Sequence, residues 1–431
     1  MPSENVILNG HIIDSLTLPK VLDEIVEHGA GYEMVDLALG TRHEDTSYAK
    51  VKVTADSEEE LTRLIERLRQ HGANPEAVDD VTLAQADVQG AFPPNFYSTT
   101  NLDTEVRVEG RWMRVARPEM DCGIVVDGER ARTVPMSEVE VGMAIVVAGL
   151  GIRVLPVAKP RIEDRPAFEF MTSNVSSEKP KALLVEQVAM QMRAAKEAGT
   201  RIMWVAGPAV VHTGSGPDLC SLIRAGFVDA FFAGNGVAAH DIESNMFGTS
   251  LGVYLAKGTA AEHGNEHHIR AINEVRRHGS FARAIDAGVF SDGIVYHLVK
   301  HGVEFLFGGS VRDDGPLPDV VTDMTEVQRR LRAIIWGEGD TLTHPSSGPP
   351  QPAPIGFCIV VGTMLHGIAT GNCLPADVPL VCVDINQATV TKLMDRGSFQ
   401  SVGIITDVGL FLRELAERLA PDEIRRPEIK P

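Results

Sequence analysis

Three groups that can take or give a proton stand within four residues at His240-Asp241-Ile242-Glu243, inside the stretch "VDAFFAGNGVAAHDIESNMFGTSLGV" (228–253). An imidazole beside two carboxylates can move protons near neutral pH or hold a charged ligand. Plainer roles stay open at this point: Asp241 as a helix N-cap and His240 as a satisfied core histidine. The i, i+1, i+3 spacing does not match HExxH and no cysteine lies nearby, so zinc is not expected, nor any other metal. No GxSxG occurs, which argues against serine hydrolysis. "HTGSGPD" (212–218) reads instead as a loop that turns N–H groups toward an anion.

The same stretch begins as a buried strand, and ligands of an open parallel sheet bind beyond the carboxyl ends of its strands. Those ends carry Gly207-Pro208 with His212-Thr213-Gly214; Gly234-Asn235-Gly236; and Gly308-Gly309-Ser310 with Arg312-Asp313-Asp314. They continue with Gly362-Thr363-Met364-Leu365-His366, Asp384, and Thr406-Asp407-Val408. One such end is ordinary turn chemistry; a whole rim of them suggests a large polar ligand. "VVGTMLHGIATGN" follows a buried strand and opens a helix, and Gly362, Gly367 and Gly371 would let a pyrophosphate approach the backbone. Asp384 ends the next strand 22 residues after Gly362, close to the ~20-residue offset of a carboxylate that holds the adenosine ribose. A carboxylate there repels a 2′-phosphate, so NAD is favoured over NADP. The alternative is that the glycines only shape a tight turn and Asp384 caps a helix.

The elements that must position these groups fall into an α/β pattern. From about residue 161, strands such as "RIMWVAG", "VDAFFAGN", "EFLFGGS", "IGFCIVVG", "VPLVCVD" and "SVGIIT" alternate with helical segments. This predicts a Rossmann-like parallel sheet in a C-terminal domain, 161–431. Ahead of it, 1–105 reads as a small α+β domain of ferredoxin-like type, with "EMVDLALG" and "YAKVKVTA" as strands. "SEEELTRLIERLRQHGA" is its helix, capped by Ser57 with Glu60 three positions on. Short alternating runs separated by Gly and Asp-Gly turns make 106–160 a β-rich, barrel-like module. "PPNFYSTTN" (93–101) reads as a linker or a loop on the substrate side, and 337–354, rich in Pro, Gly and Ser, as a flexible surface insertion.

Composition narrows the partners. Forty Lys and Arg against 59 Asp and Glu give a net charge of −19, which disfavours nucleic acid and anionic membranes. No apolar run reaches the ~18–20 residues of a membrane span. The opening "MPSENVILNGHIID" lacks the layout of a signal peptide, so a cytoplasmic location is expected. The five cysteines show no CxxC pair and read as reduced, mostly buried thiols.

"AGPAVVHTGS", "AGNGVAAHDIESNMFGTSLG", "FGGSVRDDGPLPDV", "VVGTMLHGIATGN" and "VCVDINQATVTKL" together resemble the archaeal-type ornithine cyclodeaminase family. That family carries the lysine-oxoglutarate reductase/saccharopine dehydrogenase (LOR/SDH) conserved region, and "GHIIDSLTLPKVLDEI" is similar to its N-terminal part. The chain also resembles the C-terminal half of the cyanobacterial bifunctional arginine dihydrolase/ornithine cyclodeaminase; the dihydrolase half has no counterpart here. The resemblance implies NAD contacts at Asn235, Gly236, Asp314, Thr363, Met364, Leu365, His366, Asp384, Asp407 and Val408. Gly236 stands where the family leads one to expect Ala.

The resemblance also implies a reaction: L-ornithine becomes L-proline plus ammonia with NAD recycled. In that casting His240 and Asp241 shuttle protons, and Glu243 or Asp313 holds the distal ammonium. Arg312 or Arg117 clamps the carboxylate as a bidentate partner. Two other readings stand beside it. An NAD-dependent amino-acid dehydrogenase would accumulate NADH, and a non-catalytic NAD or amino-acid sensor would bind without turnover. A homo-oligomer is expected, with a small-molecule amino-acid substrate as the only other partner.

Overall fold

The computed structural model describes residues 1–10, 12, 17–40, 45, 47–76, 79–147, 151–155, 181–261, 264–311, 313, 315–338, 352–396 and 401–424. Arg312, Asp314, the expected domain boundary at 160/161 and most of the 337–354 insertion lie outside the described residues. Two compact units are formed. The first takes the described residues up to 155 together with Asn372–Asp377; the second takes the remainder.

In the first unit, β1 (Ser3–Gly10), α1 (Thr17–Glu27), β2 (Gly31–Ala38), β3 (Ser47–Thr54), α2 (Glu58–Gln70) and β4 (Asn74–Pro75) follow one another. Their sheet runs β2-β3-β1-β4 and every pair is antiparallel. This βαββαβ order is the ferredoxin-like arrangement. Ser57 caps α2 as expected, its Oγ accepting from the Glu60 N–H at 3.3 Å. Leu61, Leu64, Ile65 and Leu68 of α2 are buried with Val6, Leu8, Val51 and Val53 of the sheet.

The unit continues as β5 (Thr82–Gln85), β6 (Thr104–Val108), β7 (Arg111–Ala116), β8 (Gly123–Asp127), β9 (Arg130–Val134), β10 (Ala144–Val147) and β11 (Ile152–Val154). These form one seven-stranded sheet, β11-β6-β7-β9-β8-β10-β5. Its two edges curl toward each other. The Val81 N–H, just ahead of β5, donates to Arg107 O in β6, and a Cβ on Gly151 would lie 2.5 Å from Val81 N. Val106, Val115, Ile124, Val146 and Ile152 fill the interior, as in a small barrel. Residues 93–101 are packed coil within this unit: Tyr97 N–H bonds Val146 O, and buried Thr99 bonds Glu119 O and the Cys122 N–H.

The second unit begins with α3 (Lys181–Glu197), β12 (Arg201–Ala206), α4 (Ala209–His212), α5 (Gly216–Arg224), β13 (Ala230–Gly234) and α6 (Asn235–Phe247). A hairpin, β14 (Thr249–Ser250) and β15 (Val253–Tyr254), follows. Then come α7 (His267–His278), α8 (Phe281–Asp286), α9 (Ile294–Lys300), β16 (Glu304–Gly308), β17 (Val320–Val321) and α10 (Met324–Trp336). The last elements are β18 (Ile355–Val361), α11 (Leu365–Cys373), β19 (Leu380–Asp384), α12 (Gln387–Arg396), β20 (Val402–Ile405) and α13 (Val408–Leu419). The sheet runs β17-β16-β13-β12-β18-β19-β20 and is wholly parallel. With the two-residue edge strand β17 set aside, the order is 3-2-1-4-5-6, that of the doubly wound dinucleotide-binding sheet.

Both faces of this sheet are covered, which is why β18 ("IGFCIVV") is apolar throughout rather than alternating. Trp204, Phe231, Phe307 and Ile359 pack on one face against α5, α6, α9 and α13. On the other, Val360 packs against α11 and Val327 of α10 lies against Gly308. Among the described residues no helix is long and apolar enough to cross a membrane.

Candidate active site

The order of the sheet reverses between its central strands β12 and β18. After β12 the chain turns into α4, whose Val210 and Val211 join the first face. After β18 it turns into α11 on the opposite face. A crevice must open where neighbouring strands send their helices to opposite sides, and its floor is made of glycine. A Cβ on Gly207 would fall 1.8 Å from Gly362 O, so the two loops touch main chain to main chain. Gly362 itself has φ +59, and a Cβ there would meet Ala209 Cβ at 2.9 Å. A Cβ on Gly367 would lie 2.7 Å from Val360 Cγ1, so Gly367 sets the close approach of α11 to its strand. A Cβ on Gly371 would make only ordinary contacts, with Leu380 and Leu393 at 3.8 Å.

The other expected cofactor residues surround this floor. Met364 and Leu365 open α11 with exposed side chains. His366 lies over the ends of β13 and β16: it is 3.2 Å from where a Gly234 Cβ would stand and edge-on to Phe232, with ring centroids 4.8 Å apart. Burial lowers its pKa, so its ring is a neutral wall. Asp384 ends β19 half-buried, with Oδ1 accepting from the Asn386 N–H at 2.7 Å. Asp407 caps α13 by accepting from the Leu410 N–H at 3.0 Å, and Val408 packs beside Gly362. Buried Asn235 accepts from the Leu317 N–H at 3.0 Å through Oδ1, which ties the chain after β16 to the start of α6. At Gly236 a Cβ would stand 3.7 Å from Pro208, an ordinary contact, so an alanine fits there.

Gly409 was not anticipated. A Cβ there would press on Ser215 Oγ at 2.7 Å, so this glycine lets the start of α13 reach the 212–218 loop. In that loop, expected to turn N–H groups toward an anion, most of them are turned inward. The N–H groups of Thr213, Gly214 and Ser215 are spent on the carbonyls of Ala209, Val211 and Val210. The hydroxyls of Thr213 and Ser215 bond each other at 2.6 Å.

His240, Asp241 and Glu243 are all carried by α6, which starts at Asn235, and they part company there. Successive residues turn about 100° around a helix, so His240 and Glu243 share one side and Asp241 faces another. Asp241 is buried beneath α9. Its Oδ1 accepts from the Ile294 N–H at 2.9 Å and its Oδ2 from the Val295 N–H at 2.8 Å. Burial pushes its pKa up to about 7 against the pull of those two bonds. Asp241 is thus a cap, the helix it caps is α9 rather than its own, and both of its oxygens are turned to that helix.

Glu243 has no exposed side-chain surface. Its Oε2 faces His240 Nδ1 at 2.8 Å and accepts from the Leu251 N–H at 3.2 Å. Its Oε1 accepts from Thr249 Oγ1 at 2.9 Å and the Gly252 N–H at 3.0 Å. Burial raises its pKa, but these donors outweigh burial and the net direction is down. The His240 ring lies edge-on to His212, centroids 4.9 Å apart, and 6.1 Å from His268. His212 Nδ1 is 2.7 Å from Ser250 Oγ, and burial, then its His240 neighbour, lower its pKa. His267 Nδ1 lies 2.9 Å from Thr249 Oγ1. Two imidazoles, one backed by a buried carboxylate, thus stand one helical turn beyond the crevice floor. Their unforeseen partners, Thr249 and Ser250, come from the hairpin that follows α6.

Two further expected residues are among the described ones. Asp313 closes the turn after β16, with Oδ2 accepting from the Ser310 N–H at 2.8 Å and Oδ1 from Ser310 Oγ at 3.2 Å. Arg117 belongs to the first unit, where it follows β7 with φ +57. All five cysteines are buried, and burial raises the pKa of Cys220, Cys358 and Cys382. Cys220, Asp292 and His297 bring ligand-type atoms within 4.8 Å of one another. There Arg224 Nη1 lies 3.1 Å from His297 Nε2, a guanidinium where a cation would have to sit.

The comparisons with known proteins agree with this geometry. Residues 186–415 match the family described as arginine dihydrolase ArgZ-like, C-terminal, Rossmann fold. Residues 3–102 match the LOR/SDH bifunctional enzyme conserved region, and 103–185 the first region of the ArgZ-like C-terminal part. The ornithine cyclodeaminase of Methanothermobacter thermautotrophicus is 44% identical over 414 residues, covering 96% of each chain. That of Methanocaldococcus jannaschii is 43% identical over 419 residues, covering 96% of this chain and 95% of its own. The bifunctional arginine dihydrolase/ornithine cyclodeaminase AgrE of a Nostoc species is 39% identical over 98% of this chain, which spans 58% of AgrE's length. The apo structure of ArgZ, a cyanobacterial arginine dihydrolase, superposes with a TM-score of 0.79 at 35% identity, over 97% of this chain and 58% of ArgZ. A conserved LOR/SDH protein of Methanococcus maripaludis superposes with a TM-score of 0.70 at 40% identity, over 80% of this chain and all of its own. With full-length likeness to the archaeal enzymes and a doubly wound sheet of the matching type, this chain belongs to the archaeal-type ornithine cyclodeaminase family.

Proposed function

We propose that this protein converts L-ornithine to L-proline and ammonia, using NAD that is recycled within each turnover. The observation that carries the reading is a histidine pair, His240 and His212, standing on the same strand ends as a glycine floor too tight for any side chain. The names of the full-length archaeal relatives support the substrate.

The residues present fit a dinucleotide. A floor at Gly207 and Gly362 that a single Cβ would fill, followed by the start of α11, suits a pyrophosphate. Thr363, Met364 and Leu365 would hold it through main chain. Asp384 would take the adenosine ribose, and Asn235, Gly236, His366, Asp407 and Val408 would line the remainder; Asp314 keeps the place the family resemblance gives it. When bound, NAD supplies a hydride acceptor for the substrate Cα and later returns that hydride, so no net oxidation results.

The remaining work belongs to the chain itself. The α-ammonium must lose a proton before the hydride can leave, the δ-ammonium must lose one before it can attack, and the departing ammonia must gain one. His240, through the nitrogen not facing Glu243, takes and returns such a proton. His212, kept neutral by burial, serves a second position. Arg312 or Arg117 supplies the carboxylate clamp. Glu243 does not hold the distal ammonium in this reading, because its oxygens are taken by neighbouring groups, whereas Asp313 keeps acceptor positions for it beyond the two that Ser310 uses.

The test is incubation of the purified protein with L-ornithine and a trace of NAD+, with proline, ammonia and NADH absorbance followed. Proline and ammonia far above the NAD+ supplied, without lasting NADH, are expected. NADH accumulating without proline would instead identify a dehydrogenase, and tight NAD binding with no turnover a sensor.

A further inference from the structure

We infer that Glu243 is a positioning residue that fixes His240 as its Nδ1–H tautomer and ties that choice to the hairpin Thr249–Tyr254. The inference rests on the proton-transfer role proposed for His240.

An ionised carboxylate offers about four acceptor positions and no donor. Glu243 has four partners: His240 Nδ1, Thr249 Oγ1 and the N–H groups of Leu251 and Gly252. With every position taken and no surface exposed, it cannot also meet a substrate. Because the carboxylate cannot donate, Nδ1 of His240 must carry the hydrogen between them. The lone pair of the neutral ring is then at Nε2. Among the described residues, the other titratable groups around the ring are His212 from α4 and His268 from α7, with His267 of α7 joined through Thr249. His240 is thus left as an acceptor on its free nitrogen.

The hairpin enters through its turn. Leu251 and Gly252 both have left-handed backbone, φ +53 and +73. That conformation suits Gly but strains Leu. It also aims two successive N–H groups at one point, a small anion cradle, and Glu243 is the anion in it. Ser250 of the same hairpin meets His212. One buried carboxylate therefore sets both the tautomer of His240 and the place of the turn beside it. Leu251, Val253, Tyr254 and Leu255 point outward, exposed.

Glu243→Gln keeps the shape but must aim an amide N–H2 at the imidazole or at the turn. In histidine-labelled protein, nitrogen NMR reads the tautomer directly, with His240 assigned by the signal lost in His240→Asn. The parent is expected to show Nδ1–H and a bare Nε2 above neutral pH, with or without NAD. E243Q is expected to move hydrogen to Nε2 and lower kcat by about 100-fold, within the range of general-base losses. KM for ornithine and NAD affinity should stay within about threefold, since E243Q removes no contact with either ligand. An Nε2–H tautomer in the parent overturns the inference, and so does parental kcat in E243Q. If E243Q does not fold, the parent spectrum decides alone. If the parent makes no proline, the functional reading falls while the tautomer still tests the role of Glu243.

Discussion

The parallel sheet has two halves, and they are built from different materials. The β18-β19-β20 half presents glycines, helix starts and Asp384, with His366 as a neutral wall. The β12-β13-β16 half presents His212, His240 and Glu243, each locked by side-chain partners. In the proposed function the first half would hold a ligand by leaving room, and the second would act on one by filling space with groups of fixed orientation. Separating the tasks across the switch point would let a cofactor site be kept while chemistry changes on the other side.

Substitutions can break or sharpen this contrast. The largest effect is expected from His240→Asn, which should lower kcat about 10²–10⁴-fold while NAD titration gives an affinity within about twofold of the parent. Parallel loss of NAD affinity would show that the halves are not separable. Next is Gly207→Ala, which forces main chains apart where the two halves meet. It should destabilise the protein by about 3 kcal/mol in urea denaturation and weaken NAD. Parental stability and affinity in that variant would mean the tight floor is dispensable. Asp384→Ala should weaken NAD about tenfold, the value of about one charge-assisted hydrogen bond. It should also narrow the preference over NADP and leave kcat at saturating NAD nearly unchanged. A fall in kcat alone would move Asp384 to the other half of the comparison.

The smallest expected effect is on stability. Asp241→Asn loses one of two cap bonds and should cost about 1–2 kcal/mol in denaturation, with the histidine chemistry intact. Its pH dependence has a definite sign. The folded pKa of about 7 lies above the ordinary 3.8, so native Asp241 binds its proton more tightly than the unfolded chain does. The stabilisation from that proton is whole below about pH 4 and is lost as pH rises through about 7. The parent's advantage over D241N should therefore shrink between about pH 4 and pH 7. An advantage that grows over this range would reject the raised pKa.

These predictions also mark what could be read beforehand. The glycine floor and its sheet were legible because Gly362 and Gly367 follow β18 at short spacing along the chain, and β18 announces itself by an unbroken apolar run. The chemical half was not. "AGNG" hides the start of α6, so His240, Asp241 and Glu243 read as one cluster rather than as points around a helix. Asp241 answers to N–H groups 53 and 54 residues away, and no local pattern points to them. Glu243's partners are close in sequence, but Leu251 adopts a backbone that its residue type argues against. Position i, i+3 for His240 and Glu243 was the one available signal, and it required knowing that the helix was there.

The central place of β12 also has a consequence for how the chain is made. β12 ends at Ala206, and one of its two neighbours, β18, starts at Ile355, about 150 residues later. At a synthesis rate of about 5–20 residues per second, the growing protein carries an open, largely apolar strand edge for roughly ten seconds or more. During that interval β12 can pair only with β13, and the switch-point crevice does not yet exist. The nascent chain is then most exposed to mispairing with a neighbour on the same message. Slowing translation between residues 206 and 355 should raise aggregation more than slowing it anywhere after β18.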